Sequence, residues 1–429
     1  MFCIWRGTAG KAESEERSSI HVLHLTRRGR SAEAFLIKPL SELLHFVYKE
    51  VTMISENSKK LGFGTMRLPL TDPENAAAVD ISQFCEMADH FLDRGFTYFD
   101  TAYPYHKECS EEAVLRGLVS RHPRDSFLLA DKMPILRVRS AEDYPMYFED
   151  QLRRCGVDYF DVYLLHNLGR DRYVNVQKFG GFEFLGKLKK EGKARLIGFS
   201  FHDSADVLDQ ILTEHPEVDV VQLQINYLDW DGAVAQSRRC YETAVKHGKS
   251  VIVMEPVKGG QLANLPAPAA KLFQDFYGTG PDAPSPASLA IRFAASLSAV
   301  KIVLSGMSNL SQLRDNTSFM QDFTPLTEEE KNLAERIAGE LRKAIAVPCT
   351  NCRYCLEVCP RNIAIPDYFG LLNLHAVTWK KSNMYYERFS MNHGKASECL
   401  HCGLCEKNCP QHIPIRRHLE EFAALYETT

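Results

Sequence analysis

The chain has 429 residues, 45% hydrophobic and 25% charged, with a formal net charge of −4 at neutral pH. That length suits one large domain followed by a smaller one. The charge balance gives no polyelectrolyte signature, so no nucleic acid partner is implied. No apolar run reaches the roughly eighteen residues of a membrane span.

Residues 1–52 pass through the basic run T-R-R-G-R and show no stable hydrophobic period. Residues 41–51, S-E-L-L-H-F-V-Y-K-E-V, would form one short amphipathic helix. The start lacks the basic region, apolar core and small-residue cleavage site of a secretory signal. Met53 stands just before the first clear strand, so it is read as the real start. Residues 1–52 are read as a disordered or mis-started extension.

From residue 61 short apolar runs alternate with amphipathic stretches. Strands are expected at 61–65, 97–100, 127–132, 160–166, 196–200, 218–226, 251–255 and 301–305. Helices are expected at 81–94, 109–120, 144–155, 182–191, 205–212, 233–247, 285–297 and 310–320. Eight such units over residues 60–322 have the size and rhythm of a (β/α)8, or TIM, barrel. An open doubly wound sheet would want a glycine-rich dinucleotide fingerprint after its first strand. The sequence L-G-F-G-T-M lacks the third glycine and leads into no immediate helix.

Thr327 followed three residues later by Glu330 is a capping box, so residues 323–346 are read as a linking helix. Beyond it, residues 347–429 carry one phrase twice. Residues 349–360 read C-T-N-C-R-Y-C-L-E-V-C-P, and residues 399–410 read C-L-H-C-G-L-C-E-K-N-C-P. Zinc usually takes two C-x2-C pairs set well apart, and a disulfide framework belongs to small secreted chains. The spacing C-x2-C-x2-C-x3-C-P resembles that by which ferredoxins hold [4Fe–4S] clusters. This predicts two clusters, with Cys349, Cys352, Cys355 and Cys359 in one run and Cys399, Cys402, Cys405 and Cys409 in the other. In two-cluster ferredoxins the fourth cysteine of each run ligates the other cluster. By that resemblance Cys359 joins Cys399, Cys402 and Cys405, while Cys409 joins Cys349, Cys352 and Cys355. The 39 residues between the runs also leave local wiring open. They include D-Y-F-G-L-L-N-L-H and M-Y-Y-E-R-F, which read as helices, so this domain should be mainly helical. The other five of the 13 cysteines (Cys3, Cys85, Cys109, Cys155 and Cys240) lack pairing spacing and are read as free thiols. The compartment is then reducing, which points to the cytoplasm.

In a (β/α)8 barrel the chemistry sits at the C-terminal ends of the strands. Those ends carry Asp100, Lys132 and His166 on successive strands, with Tyr105 in the loop D-T-A-Y-P-Y-H. Each alone is more often structural; the ordered combination is what suggests carbonyl reduction. A developing alkoxide needs a proton donor, here a phenol. A neighbouring ammonium lowers the phenol pKa, and an aspartate keeps that lysine charged. A histidine orients the carbonyl oxygen. Tyr103 competes with Tyr105 for the donor role; spacing favours Tyr105.

These residues resemble the Asp-Tyr-Lys-His tetrad of the aldo/keto reductase family, in F-D-T-A-Y-P-Y, A-D-K-M-P and L-L-H-N-L. The appended tail is similar to the family branch with ferredoxin-type clusters. The resemblance implies NADP(H) or NAD(H) as cofactor, with Ser200 in I-G-F-S-F-H and Gln222 in V-V-Q-L-Q-I-N-Y at the nicotinamide. It places the phosphates at S-G-M-S-N-L-S-Q-L-R-D-N, which offers Ser305, Gly306, Ser308, Asn309 and Asn316 at a helix N-terminus. Three positions depart from the family. Phe201 follows the serine where asparagine is frequent, and Met254 replaces a stacking tyrosine. The basic residues that grip a 2′-phosphate are missing from S-G-M-S-N-L-S, which leaves Arg314 or Lys258 as substitutes.

Two functions follow. One is reversible reduction of a small carbonyl, or oxidation of an alcohol, with the clusters exchanging electrons with a partner protein. The other is an iron–sulfur electron carrier or redox sensor whose barrel is a nucleotide-binding scaffold.

Overall fold

The computed structural model describes residues 59–73, 75–232, 235–343, 346–347, 349, 354–409 and 413–428. Met53, the 41–51 helix and the extension before residue 53 lie outside the described residues, as does Cys352.

Eight parallel strands close into a barrel in sequence order. They are β1 (Leu61–Gly64), β2 (Tyr98–Asp100), β3 (Leu128–Met133), β4 (Phe160–Leu168), β5 (Ala194–Phe201), β6 (Val220–Gln224), β7 (Ser250–Met254) and β8 (Val300–Ser305). Each falls where the sequence predicts one, with ends shifted by a few residues.

Helices wrap the outside: α1 (Ile81–Asp93), α2 (Ser110–Val114, continued by a π turn Leu115–Val119), α3 (Asp143–Cys155) and α4 (Arg170–Lys178). Next come α5 (Gly181–Lys190), α6 (Ala205–Glu214), α7 (Ser237–Lys246), α8 (Ala267–Tyr277), α9 (Pro286–Ala295), α10 (Leu310–Gln321) and α11 (Glu328–Arg342). Two of these depart from expectation. Helix α4 and helix α8 both lie in stretches given no element. Both have few buried apolar residues, Tyr173 and Val176 in α4, Ala269 and Phe273 in α8, so periodicity was faint.

The barrel interior is a packed core of Tyr98, Ala130, Val162, Leu164, Val220, Ile252, Ile302 and Leu304. Since side chains alternate along a strand, two residues beyond each of these is again an inward position. Tyr98 therefore leads to Asp100, Ala130 to Lys132, Leu164 to His166 and Val220 to Gln222. Ser200 stands level with Gln222 across the β5–β6 pair. The period-two rule thus delivers four of these to the mouth of the barrel, and strand register delivers Ser200.

The capping box read from the sequence is present: Glu330 N donates to Thr327 Oγ1 at 3.2 Å, and Thr327 N to Glu330 Oε2 at 2.9 Å. Glu330 also takes Arg292 at 2.7 Å and the Tyr277 hydroxyl at 2.6 Å, tying α11 to α9 and α8.

The C-terminal region is mainly helical, as expected. It contains α12 (Tyr354–Glu357), α13 (Ile365–Thr378), α14 (Asn383–Ser390), α15 (Leu404–Lys407) and α16 (Ile415–Tyr426). Its core stacks Tyr368 on Phe422 with centroids 4.6 Å apart. No helix among the described residues is long and apolar enough to cross a membrane.

Gly198 of β5 faces β6 so closely that a Cβ there would lie 2.0 Å from the Val220 carbonyl oxygen. Backbone cannot step aside as a side chain can. Gly198→Ala should therefore destabilise the barrel by about 3 kcal/mol, the upper range for overpacking. Denaturant unfolding of the variant checks this, and unaltered stability would show that β5 and β6 separate more easily than the packing implies.

Candidate active site

Lys132 is fully buried, and its ammonium donates to Asp100 Oδ1 at 2.5 Å and to the Thr101 carbonyl at 2.7 Å. Gln222 Nε2 donates to the other Asp100 oxygen at 3.1 Å. Burial alone would lower the Lys132 pKa; the charges of Asp100 and Tyr105 outweigh it and hold the ammonium above its usual range. Burial pushes the Asp100 carboxyl up, and Lys132 and Gln222 oppose that rise.

Tyr105 opens the short 3-10 turn Tyr105–Glu108 after β2. Its ring lies 5.1 Å from Lys132 Nζ and meets the His166 ring edge-on, centroids 5.8 Å apart. The structure thus brings Asp100, Tyr105, Lys132 and His166 together. Tyr103 points elsewhere, its hydroxyl 3.4 Å from Asp150 Oδ2. The electrostatics differ from the expectation in one respect. Lys132 does lower the Tyr105 pKa, but burial raises it by more, and the phenol lies above its usual value. Burial, then Lys132, His202 and Arg172, push His166 well below its usual range, so its imidazole is neutral at pH 7.

Strain follows Tyr105. His106, Lys107 and Glu108 have φ of 51°, 52° and 72°, left-handed values that cost such residues energy. The surroundings fix the turn: His106 accepts from Leu68 N at 3.1 Å through Nε2 and its Nδ1 lies 2.8 Å from the Ala76 carbonyl. Arg137 pairs with the Glu108 carboxylate, and Arg154 donates to the Glu108 carbonyl.

Across the ring, a cleft of about 510 Å³ opens beside β8. Ser305, Gly306, Ser308 and Asn316 line it, together with Arg67 and Glu255. Asn316 Nδ2 donates to Ser305 Oγ at 2.8 Å. Asn309 is not among the lining residues; it caps α10, accepting from Gln312 N at 2.9 Å. Ser200 Oγ accepts from Asn167 N at 2.7 Å, bracing the turn after His166. Lys258 is taken up by Asp229, with both carboxylate oxygens at 2.6 Å. Arg314 is exposed. The cation that does line the cleft is Arg67, which the sequence reading missed because it lies in the turn after β1, far from the β8 motif.

In the C-terminal domain Cys359, Cys399, Cys402 and Cys405 line one small cavity. Cys349, Cys355 and Cys409 pack in the same domain core, the first partly exposed. Among the described residues no three His, Cys, Asp or Glu side chains converge to hold a single metal ion. Four thiols spread around a cavity fit a cubane, whose corners are apart, better than zinc's single tetrahedral point.

This domain also covers the barrel mouth. Tyr385 donates to Gln224 Oε1 at 3.1 Å, Lys380 to the Gly259 carbonyl at 3.2 Å and Asn392 to Asp171 Oδ1 at 2.9 Å. Arg388 reaches Asn167 Oδ1 at 3.4 Å, one residue past His166.

Residues 60–338 match the aldo/keto reductase family, and residues 348–414 match the 4Fe-4S dicluster domain. L-galactose dehydrogenase of Arabidopsis thaliana is 24% identical over 265 residues, covering 56% of this chain and 79% of that protein. An aldo-keto reductase of Mycolicibacterium vanbaalenii is 35% identical over 125 residues, 28% of this chain and 41% of that one. Among solved structures, the holo form of an aldo-keto reductase from Bacillus halodurans superposes with TM-score 0.53 at 25% identity, covering 65% of this chain and 91% of that chain. An aldo-keto reductase from Klebsiella pneumoniae in complex with NADPH shares the fold, with TM-score 0.52 at 19% identity over 66% of this chain and 91% of that one. The chain belongs to the aldo/keto reductase family and carries a 4Fe-4S dicluster domain behind its barrel.

Proposed function

We propose that the protein is an NAD(P)(H)-linked oxidoreductase that reduces small carbonyls, or oxidises the alcohols, at Asp100, Tyr105, Lys132 and His166. The convergence of these four at the barrel mouth is the observation that carries the reading. A bound nicotinamide dinucleotide supplies the hydride. Ser305, Gly306, Ser308 and Asn316 would hold its phosphates in the cleft they line, whose polar groups suit an anion beside the start of α10. Ser200 and Gln222 would hold its nicotinamide end. The Klebsiella relative binds NADPH; here Arg67 in the cleft is already 3.4 Å from Glu255, so either NADH or NADPH suits it.

Tyr105 gives its proton to the carbonyl oxygen as negative charge develops there. Neutral His166 donates one N–H to the same oxygen and fixes its direction. Lys132, held by Asp100, places a positive charge against the phenol and so stabilises the phenolate left behind.

Two [4Fe–4S] clusters, one electron each, would together match the electron pair of a hydride. Cys359, Cys399, Cys402 and Cys405 would hold one cluster, and Cys349, Cys352, Cys355 and Cys409 the other. The cover that this domain forms over the mouth favours electron exchange between the clusters and the site, and a partner protein would carry the electrons onward. A pure electron carrier or redox sensor would show no carbonyl turnover.

Tyr105→Phe should cut carbonyl reduction by about 100- to 10,000-fold while cofactor affinity stays close to wild type. Turnover of an aldehyde panel with NADH and NADPH side by side checks this, and undiminished turnover sinks the assignment. The pH profile tests the electrostatics. Reduction needs the phenol protonated, and the Tyr105 pKa is raised, so kcat/KM should stay level through neutrality and fall only above about pH 10. A fall beginning near neutral pH would mean that Lys132 outweighs burial.

The shared cavity predicts crossed ligation. Removing everything after Gly394 should abolish both clusters, since neither quartet is then complete. A truncated protein, purified without oxygen, that keeps about four irons per chain would establish local wiring instead.

A further inference from the structure

Two guanidinium groups meet beside the catalytic mouth. Arg388, brought by α14, is 7% exposed, and its Nη1 has no hydrogen-bond partner among the described residues. It occupies the slot left by Gly169, where an added Cβ would lie 2.7 Å from Arg388 Nη2. Arg172 of α4 donates to the Asn167 carbonyl at 2.7 Å. Burial and the neighbouring Arg388 push Arg172 down to about 10. Next to both, His202 has a buried Nδ1 without a partner among the described residues. Burial, Arg388 and Arg172 bring its pKa down to about 3, so it is a neutral donor or acceptor.

The nearby carboxylates are largely occupied elsewhere. Asp203 accepts backbone N–H groups from Ser204 at 2.7 Å and Arg170 at 2.8 Å, and Asp171 takes Asn392. Asp203 and Asp171 support the Arg388 charge, yet burial prevails and its pKa is lowered. Two neighbouring like charges, one of them buried with an unmade hydrogen bond at Arg388 Nη1, are an arrangement that an entering anion relieves, and the planar fork of arginine matches carboxylate and phosphate oxygens.

We propose that Arg388, Arg172 and His202 form an anion subsite for the substrate, holding a carboxylate or phosphate substituent while the carbonyl end lies at Tyr105 and His166. This deepens the carbonyl-reductase reading and rests on it. The nucleotide phosphates are a poor alternative occupant, because their cleft is beside β8, and β4 and β8 stand on opposite sides of an eight-strand ring. The subsite takes one arginine from the barrel and one from the cluster domain, so substrate selection requires both.

The test uses the cluster-loaded full chain with matched substrates: succinic semialdehyde against its methyl ester, and glycolaldehyde phosphate against glycolaldehyde. In the wild type the charged member of at least one pair is preferred. Arg388→Gln should lower that charged-to-neutral ratio of kcat/KM by about 30-fold, mainly through KM, and Arg388→Lys should restore part of it. Arg172→Gln, which leaves α14 and Arg388 in place, should shift the ratio the same way. Calorimetric titration with succinate and with inorganic phosphate gives a readout independent of turnover and separates the two anion classes. Equal loss for charged and neutral substrates, with the ratio intact, would make Arg388 a clamp between domains and overturn the subsite. Absence of anion binding to the wild type would also overturn it. If no carbonyl turns over while succinate or phosphate still binds wild type and not Arg388→Gln, the subsite stands and the carbonyl-reductase reading falls.

Discussion

The ion pair of Lys132 with Asp100 is the constraint from which the rest of the mouth is arranged. A charged lysine with no solvent exposure survives only where donors and acceptors are matched, because desolvating two charges is costly. Here the ammonium has Asp100 and the Thr101 carbonyl, and the second Asp100 oxygen has Gln222. Those partners come from β2, β3 and β6, so strand order and register must be correct before the pair is affordable. The same ammonium then sets the charge felt by Tyr105 and His166.

The pair also separates two functions that proximity alone would blur. Lys132 acts on the phenol against burial, and burial prevails in the resting site. Tyr105 therefore keeps its proton at neutral pH, the state that the proposed donor role requires. His166 is driven the other way by the same charge and by burial, and it stays neutral. One cation thus fixes both protonation states at neutral pH.

Much of this was legible in the chain itself. The strands are short, apolar and evenly spaced, and the inward positions at their ends carry Asp100, Lys132 and His166. The cysteine runs are legible because their spacing is chemically demanding. Helix α4 was hidden because only Tyr173 and Val176 of its nine residues are buried. Asn309 was assigned to phosphate because residues that cap a helix are also those that line an anion site; the structure gives it the capping role. The balance between burial and Lys132 at Tyr105 has no linear signature. Nor has the meeting of Asn167 with Arg388, residues 221 positions apart.

Cys359 and Cys399 line one cavity, and the 39 residues between them, 360–398, contain α13 and α14, the segment that rests on the barrel mouth. Under the proposed crossed ligation, a cluster bound there would join the two ends of that segment as a crosslink does. Closing a loop of this length removes about 3 kcal/mol of chain entropy, and the figure grows only slowly with length. The iron, more than the turns within the segment, would then fix where this cover begins and ends. Loss of that iron would return this freedom to the segment, and the mouth would lose its cover together with Arg388. Damage to the clusters by oxygen would in this way reach the chemistry in the barrel mechanically, with every residue of the tetrad still intact.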